Sequence, residues 1–175
     1  MANETLSEPR DFFAALARDH ARIEEQLKAL VRAAEAIGRV ETDAAALAVI
    51  KATLEFFAGE GARHEAHEEQ TLFPRLRSNP EFKQILSALE FQHRMNNTTF
   101  QELSACVAGF APGSGRELQR QSIRFAEMHR GHAVAEERAL FPLASARLAP
   151  QAIVEMTREM RKRNGPVGQG PGAGR

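Results

Sequence analysis

The chain has 175 residues, 43% hydrophobic and 26% charged, enough for one soluble domain with a sizeable core. Its 23 Lys and Arg balance its 23 Asp and Glu, which removes any bulk electrostatic case for nucleic acid or an anionic membrane. No apolar run approaches the ~20 residues of a membrane span, MANETLSEPRDFF has no secretion-signal pattern, and a single Cys106 excludes an intrachain disulfide or a multi-cysteine metal site, so a cytoplasmic location is expected.

Helical periodicity runs through nearly the whole chain. A first helix is expected from about Glu8 to Ile37, with Ser7 as its cap, Pro9 in its first turn and Gly38 after its end. Its apolar stripe is Phe13, Leu16, His20, Ile23, Leu27 and Leu30. A second helix begins after Thr42 or Asp43 and runs to about Phe73, with Leu47, Ile50, Leu54, Phe57, Gly61, His64, Glu68 and Leu72 on its stripe. Gly59 and Gly61 weaken its middle by roughly 1 kcal/mol each.

Asn79 and Pro80 open a third helix that reaches about Gly109. Its stripe is Phe82, Leu86, Leu89, His93, Phe100, Leu103 and Val107. APGSG (111–115) is a loop. A fourth helix follows from about Arg116 to Phe141, with stripe Leu118, Phe125, His132, Glu136 and Leu140. A shorter fifth helix is expected from Pro150 to Lys162, and the Gly/Pro-rich end reads as a flexible tail. The fold class is all-α: an antiparallel up-down four-helix bundle over residues 1–148, a C-terminal helix over 149–163 and a tail over 164–175.

The odd fact lies on the stripes themselves. Four stripe positions hold histidine and two hold glutamate. HEAHEEQTLFP at 64–74 and HAVAEERALFP at 132–142 share H-x-x-x-E-E-x-x-L-F-P. At i and i+4, His64 and Glu68 point the same way, as do His132 and Glu136. A single such pair reads equally well as a solvated polar pair. Two copies at matching stripe positions do not, because a buried carboxylate costs several kcal/mol unless partnered. His20 and His93, alone, would read as satisfied core histidines. The repeat places each upstream of its motif, so six ligand-type side chains can converge from four helices. Imidazole with carboxylate suits Fe, Zn, Mn, Cu or Ni more than Ca or Mg. Two cations bridged by two carboxylates would keep open positions for water, oxo, hydroxo or a small ligand.

Leu72, Phe73, Leu140 and Phe141 read as core anchors, with Pro74 and Pro142 ending or bending their helices. His67, His129, Glu69 and Glu137 are expected to be partly exposed or to support ligands from behind. Glu24 is either solvent-exposed or an extra ligand or supporting acceptor. Cys106 reads as a small buried hydrophobe, and the RKR run at 161–163 as a helix C-terminus.

A histidine, then H-x-x-x-E-E-x-x-L-F-P, twice over, resembles the HHE cation-binding, hemerythrin-like domain family across about residues 12–145. The resemblance implies a four-helix bundle around a non-heme di-iron centre. It carries His20, His64, Glu68, His93, His132 and Glu136 over as ligands, with Glu68 and Glu136 as bridges. One departure matters. Oxygen-carrying hemerythrins have a second histidine where this chain has Asn97, and an aspartate five residues after the helix-four histidine where Glu136 here stands at plus four. The pattern is closer to the bacterial H–HxxxE–H–HxxxE type. That type implies binding of or reaction with O2, peroxide or nitric oxide, or else iron or oxygen sensing, or iron storage or delivery. Against ferritin-like storage, the motif is His-x-x-x-Glu and not Glu-x-x-His. The expected partner is a small-molecule ligand, with no nucleic acid and no membrane.

Overall fold

The computed structural model describes residues 11–41 and 43–164. The predicted cap Ser7, Pro9, the candidate start Thr42 and the tail beyond Asn164 lie outside these residues. Five helices follow in order, with no strand among the described residues. Helix α1 is Phe12–Arg39, capped by the Asp11 carboxylate, which accepts from the Ala14 N–H at 2.8 Å. Helix α2 spans 44–76, and Asp43 caps it by accepting from the Ala46 N–H. Asn79 caps a 3-10 turn, Pro80–Phe82, that leads into α3, Lys83–Ala108. Helix α4 spans 115–147, and α5 is Pro150–Asn164. No helix among the described residues is long and apolar enough to cross a membrane.

The helices differ from the expected ones at three points. Helix α2 runs past Phe73 to Leu76, and α4 runs past Phe141 to Arg147. Both therefore pass through their prolines. Each also widens into a π turn at the repeated motif, Glu68–Leu72 and Glu136–Leu140, in which the Phe73 N–H bonds to the Glu68 carbonyl and the Phe141 N–H to the Glu136 carbonyl. The physical reason is the proline that follows. Pro74 and Pro142 have no N–H for the carbonyl four residues back and would clash with it. A wider turn accommodates both deficits and lets the helix continue. A third π turn, Phe57–Gly61, surrounds the two glycines of α2. A Cβ on Gly61 would stand 2.9 Å from Phe57 Cδ1, so the bare backbone lets the Phe57 ring pack inward.

Two apolar clusters fill the interior. One gathers Phe12 and Leu16 of α1, Leu72, Phe73 and Leu76 of α2, Phe82 just before α3, Leu86 and Leu89 of α3, Leu140 and Phe141 of α4, and Met156 and Met160 of α5. The other gathers Ile23 to Ile37 of α1, Ile50 and Phe57 of α2, Leu103 of α3, and Leu118 and Phe125 of α4. Each fully buried Phe or Leu contributes about 1.5–3 kcal/mol relative to exposure. Between the clusters, all four helices carry polar side chains inward. Along α1, partners on α4 fall in number as α1 rises: His20 meets Glu137, Glu24 meets Arg130, and Ile37 faces Gly115.

Candidate metal centre

The band between the clusters holds His20 of α1, His64 and Glu68 of α2, His93 of α3, and His132 and Glu136 of α4. All six are buried, Glu68 and Glu136 completely. Their stripe positions put them there, since each lies a whole number of turns from the apolar residues of its own helix. The atoms then form two groups. His20, His64, Glu68 and Glu136 offer ligand atoms within 4.8 Å of one another, and so do Glu68, His93, His132 and Glu136. Both carboxylates belong to both groups. Glu68 reaches His64 Nε2 through Oε1 at 3.1 Å and His93 Nε2 through Oε2 at 3.3 Å. Glu136 Oε2 lies 3.2 Å from His20 Nε2 and 3.3 Å from His132 Nε2.

The outer ring nitrogens are held from behind, and the support follows the repeat. His20 Nδ1–H donates to Glu137 Oε1 at 2.8 Å, and His93 Nδ1–H donates to Glu69 Oε1 at 2.9 Å. His132 Nδ1–H donates to Gln92 Oε1 at 3.1 Å. Asp19 stands behind His64 at 3.6 Å, an ion-pair separation rather than a hydrogen bond. These acceptors fix the tautomer, because an oxygen that only accepts leaves the proton on Nδ1 and the lone pair on Nε2. Each motif's Glu-Glu pair thus puts its first carboxylate into the centre and its second behind a histidine of the other half. The phenylalanines follow the same rule. Phe73 stacks on His93 and Phe141 on His20, each at 5.6 Å.

The donor set fits divalent cations. Both oxygens of Glu68, both of Glu136, and the Nε2 atoms of His20 and His64 are buried without a hydrogen-bond partner. That many orphaned acceptors in one place is costly unless a cation meets them. His93 and His132 make the same point, since their Nε2 atoms face each other at 3.0 Å. With both protons fixed on Nδ1, two lone pairs would confront each other there. The charge balance agrees. Burial disfavours charge on His20, His64 and His93, yet the facing carboxylates outweigh it and raise all three, His64 well above its usual value and His93 to about 9. Burial would likewise raise Glu68, but His64, His132 and His93 hold it well below the usual carboxylate range. Glu136 is pushed up by burial and by Glu68. The two carboxylates thus demand positive charge, which protons or metal ions can supply.

Other singled-out residues land elsewhere. Glu24 pairs with Arg130, Oε2 to Nε at 2.9 Å, and does not join the centre. His67 is neither exposed nor behind a ligand. It is buried against α5, its Nε2–H donating to Asn164 Oδ1 at 2.9 Å and its Nδ1 accepting from Arg163 Nη1 at 2.7 Å. The end of the RKR run thus anchors α5 on α2, helped by Arg75 and Glu159 at 2.5 Å. His129 donates to the Phe125 carbonyl, and burial pushes it down to about 4, so its ring is neutral. Cys106 is half-buried beside the second apolar cluster, and burial raises its thiol. Asn97 is exposed at the rim of a cavity of about 310 Å³ that opens onto His20, His64, Glu68, His93 and His132. A further group, Glu65, Glu69 and His93, lies outward of the centre, with the Nδ1 proton of His93 already given to Glu69.

Asp19 and Gln92 are absent from the sequence reading. Their signal was available, because each immediately precedes the first histidine of its half, His20 and His93. The family description hemerythrin HHE cation binding domain matches residues 11–162. No curated protein and no solved structure matches the chain.

Proposed function

The chain belongs to the hemerythrin HHE cation-binding family, and from that premise we propose that it is a non-heme di-iron protein that binds or reacts with O2, peroxide or nitric oxide. In this reading the helices form an antiparallel up-down four-helix bundle, supported by the falling α4 numbers that meet α1. His20 and His64 would hold one iron and His93 and His132 the other, with Glu68 and Glu136 within reach of both. The observation that carries it is the sharing of both buried carboxylates by two four-residue groups.

Bound iron supplies redox equivalents and a Lewis-acid position for a small ligand. The chain does the rest. Glu137, Glu69 and Gln92 hold three of the imidazoles so that Nε2 faces inward, and Asp19 stands at ion-pair distance behind His64. Phe73 and Phe141 stack on two of the rings, and apolar clusters pack the bundle on either side of the band. Asn97, where oxygen carriers have a further histidine, lies exposed at the cavity rim. The coordination is therefore poorer in nitrogen than an oxygen carrier's, which favours reactivity over reversible storage. A single Cys106 suits a reducing cytoplasm.

The test is to mix anaerobic, ferrous-loaded protein with nitric oxide, hydrogen peroxide and O2 in turn and follow its optical spectrum. A rapid spectral change with at least one of them is expected. No change with any of them would move the chain to a second reading, an iron-sensing module. One observation favours that alternative: His67, beside Glu68, is the residue on which α5 is anchored, so movement of the carboxylate has a direct route to the surface.

A further inference from the structure

The cavity beside the centre is larger than a diatomic ligand needs. Ile23, Phe57, Asn96, Phe100 and His129 line it at positions three to seven residues along their helices from the candidate ligands. At 1.5 Å per residue it extends about 5–10 Å beyond them. Its volume is about 310 Å³. A water's share of the liquid is about 30 Å³, and an apolar cavity of about 150 Å³ holds benzene. Two cations and a bridging oxygen, at a water's volume each, leave roughly 200 Å³.

The far end is aromatic. Phe57 and His129 meet edge to face at 4.7 Å, with Phe125 packed against both. Besides the candidate ligands, polar side chains interrupt these walls at Glu65, Asn96, Asn97 and His129. Asn96 is 6% exposed, and its Oδ1 has no hydrogen-bond partner. A buried acceptor of this kind calls for a donor. A cavity with largely apolar walls and a few convergent polar groups is the usual build of a small-molecule site.

We propose that this cavity binds a small organic molecule with an aromatic or short aliphatic body and one hydroxyl or hydroperoxyl group, whose O–H donates to Asn96 Oδ1 while the body packs between Phe57, Phe100 and His129. The inference rests on the function proposed above, since it names the class of molecule that reaches the same centre. The walls that would hold the organic body, however, are residues other than the candidate ligands.

Phenol is the probe, with toluene as the matched molecule lacking the donor. The full chain is titrated with each by two-dimensional amide NMR, and metal content is measured on the same sample. Saturable one-to-one binding of phenol is expected. Asn96→Leu should weaken phenol roughly fivefold and leave toluene unchanged. Ala133→Leu, which adds bulk at the cavity wall, should weaken both, with its melting temperature confirming that it folds. Phenol that fails to saturate, or that binds both variants like the parent, would overturn the proposal and leave water as the partner of Asn96. Two irons per chain with no phenol binding would sink this inference alone. Phenol binding by a chain that holds no metal would sink the di-iron reading alone.

Discussion

At the residue scale, the centre depends as much on what stands behind the histidines as on the histidines. Glu137 is half-exposed, yet its hydrogen bond selects the tautomer of His20. Glu137→Ala should leave the fold intact and lower metal affinity by about 10- to 100-fold, as loss of such partners does elsewhere. Competition with a chelator of known affinity measures this; an unchanged affinity would mean that His20 needs no orienting group. His129 makes a different prediction. Its folded value of about 4 lies below an ordinary histidine's 6.5, so the unfolded chain binds more protons between those values. Its contribution to stability is full above pH 6.5 and is lost as the pH falls through about 4. His129→Leu removes that loss. Relative to the parent, the variant should gain roughly 1–3 kcal/mol between pH 7 and pH 4, read by denaturant unfolding at each pH. Parallel stability curves would show that His129 is protonated in the fold.

At the element scale, the repeat explains what the sequence made legible. Stripe periodicity placed five helices and brought out all six candidate ligands, because His-x-x-x-Glu at i and i+4 on an apolar face has few cheap explanations. Leu118, Phe125, His132, Glu136 and Leu140 are all buried as their spacing requires. The π turns escaped that reading, since a periodicity argument assumes a uniform ladder. Pro74 and Pro142, each six residues after its motif's buried glutamate, were the physical sign that the ladder could not continue unchanged. His67 was misread for a related reason: its partners Arg163 and Asn164 lie on a helix whose docking face one sequence does not reveal. The start of α4 hides a similar tertiary requirement. Glu41 accepts from the Gly113 and Gly115 N–H groups at 2.7 and 3.0 Å, and these bonds hold its carboxyl below the usual range. A Cβ on Gly115 would stand 2.9 Å from the Ile37 carbonyl oxygen and 2.6 Å from Glu41 Cγ. Gly115→Ala should therefore destabilise the chain by about 1–3 kcal/mol, measured as a shift in the denaturant midpoint, despite the better helix propensity of alanine. A stabilised variant would show that α1 and α4 are free to move apart there.

At the scale of the whole molecule, two apolar clusters clamp a polar band that is expensive by itself. Glu68 and Glu136 are completely buried with none of their four oxygens hydrogen-bonded, and His20, His64 and His93 are pushed toward their charged forms. Cations resolve that cost, so metal binding and stability are coupled. The same coupling makes metal compete with protons, and affinity should fall as the pH is lowered. The claim on which the rest depends is that two groups sharing two carboxylates hold two metal ions. The direct measurement is metal content per chain by elemental analysis, on protein made in iron-replete medium and never exposed to chelator. About two irons per chain is the expected result. One zinc per chain, or no metal, would contradict it.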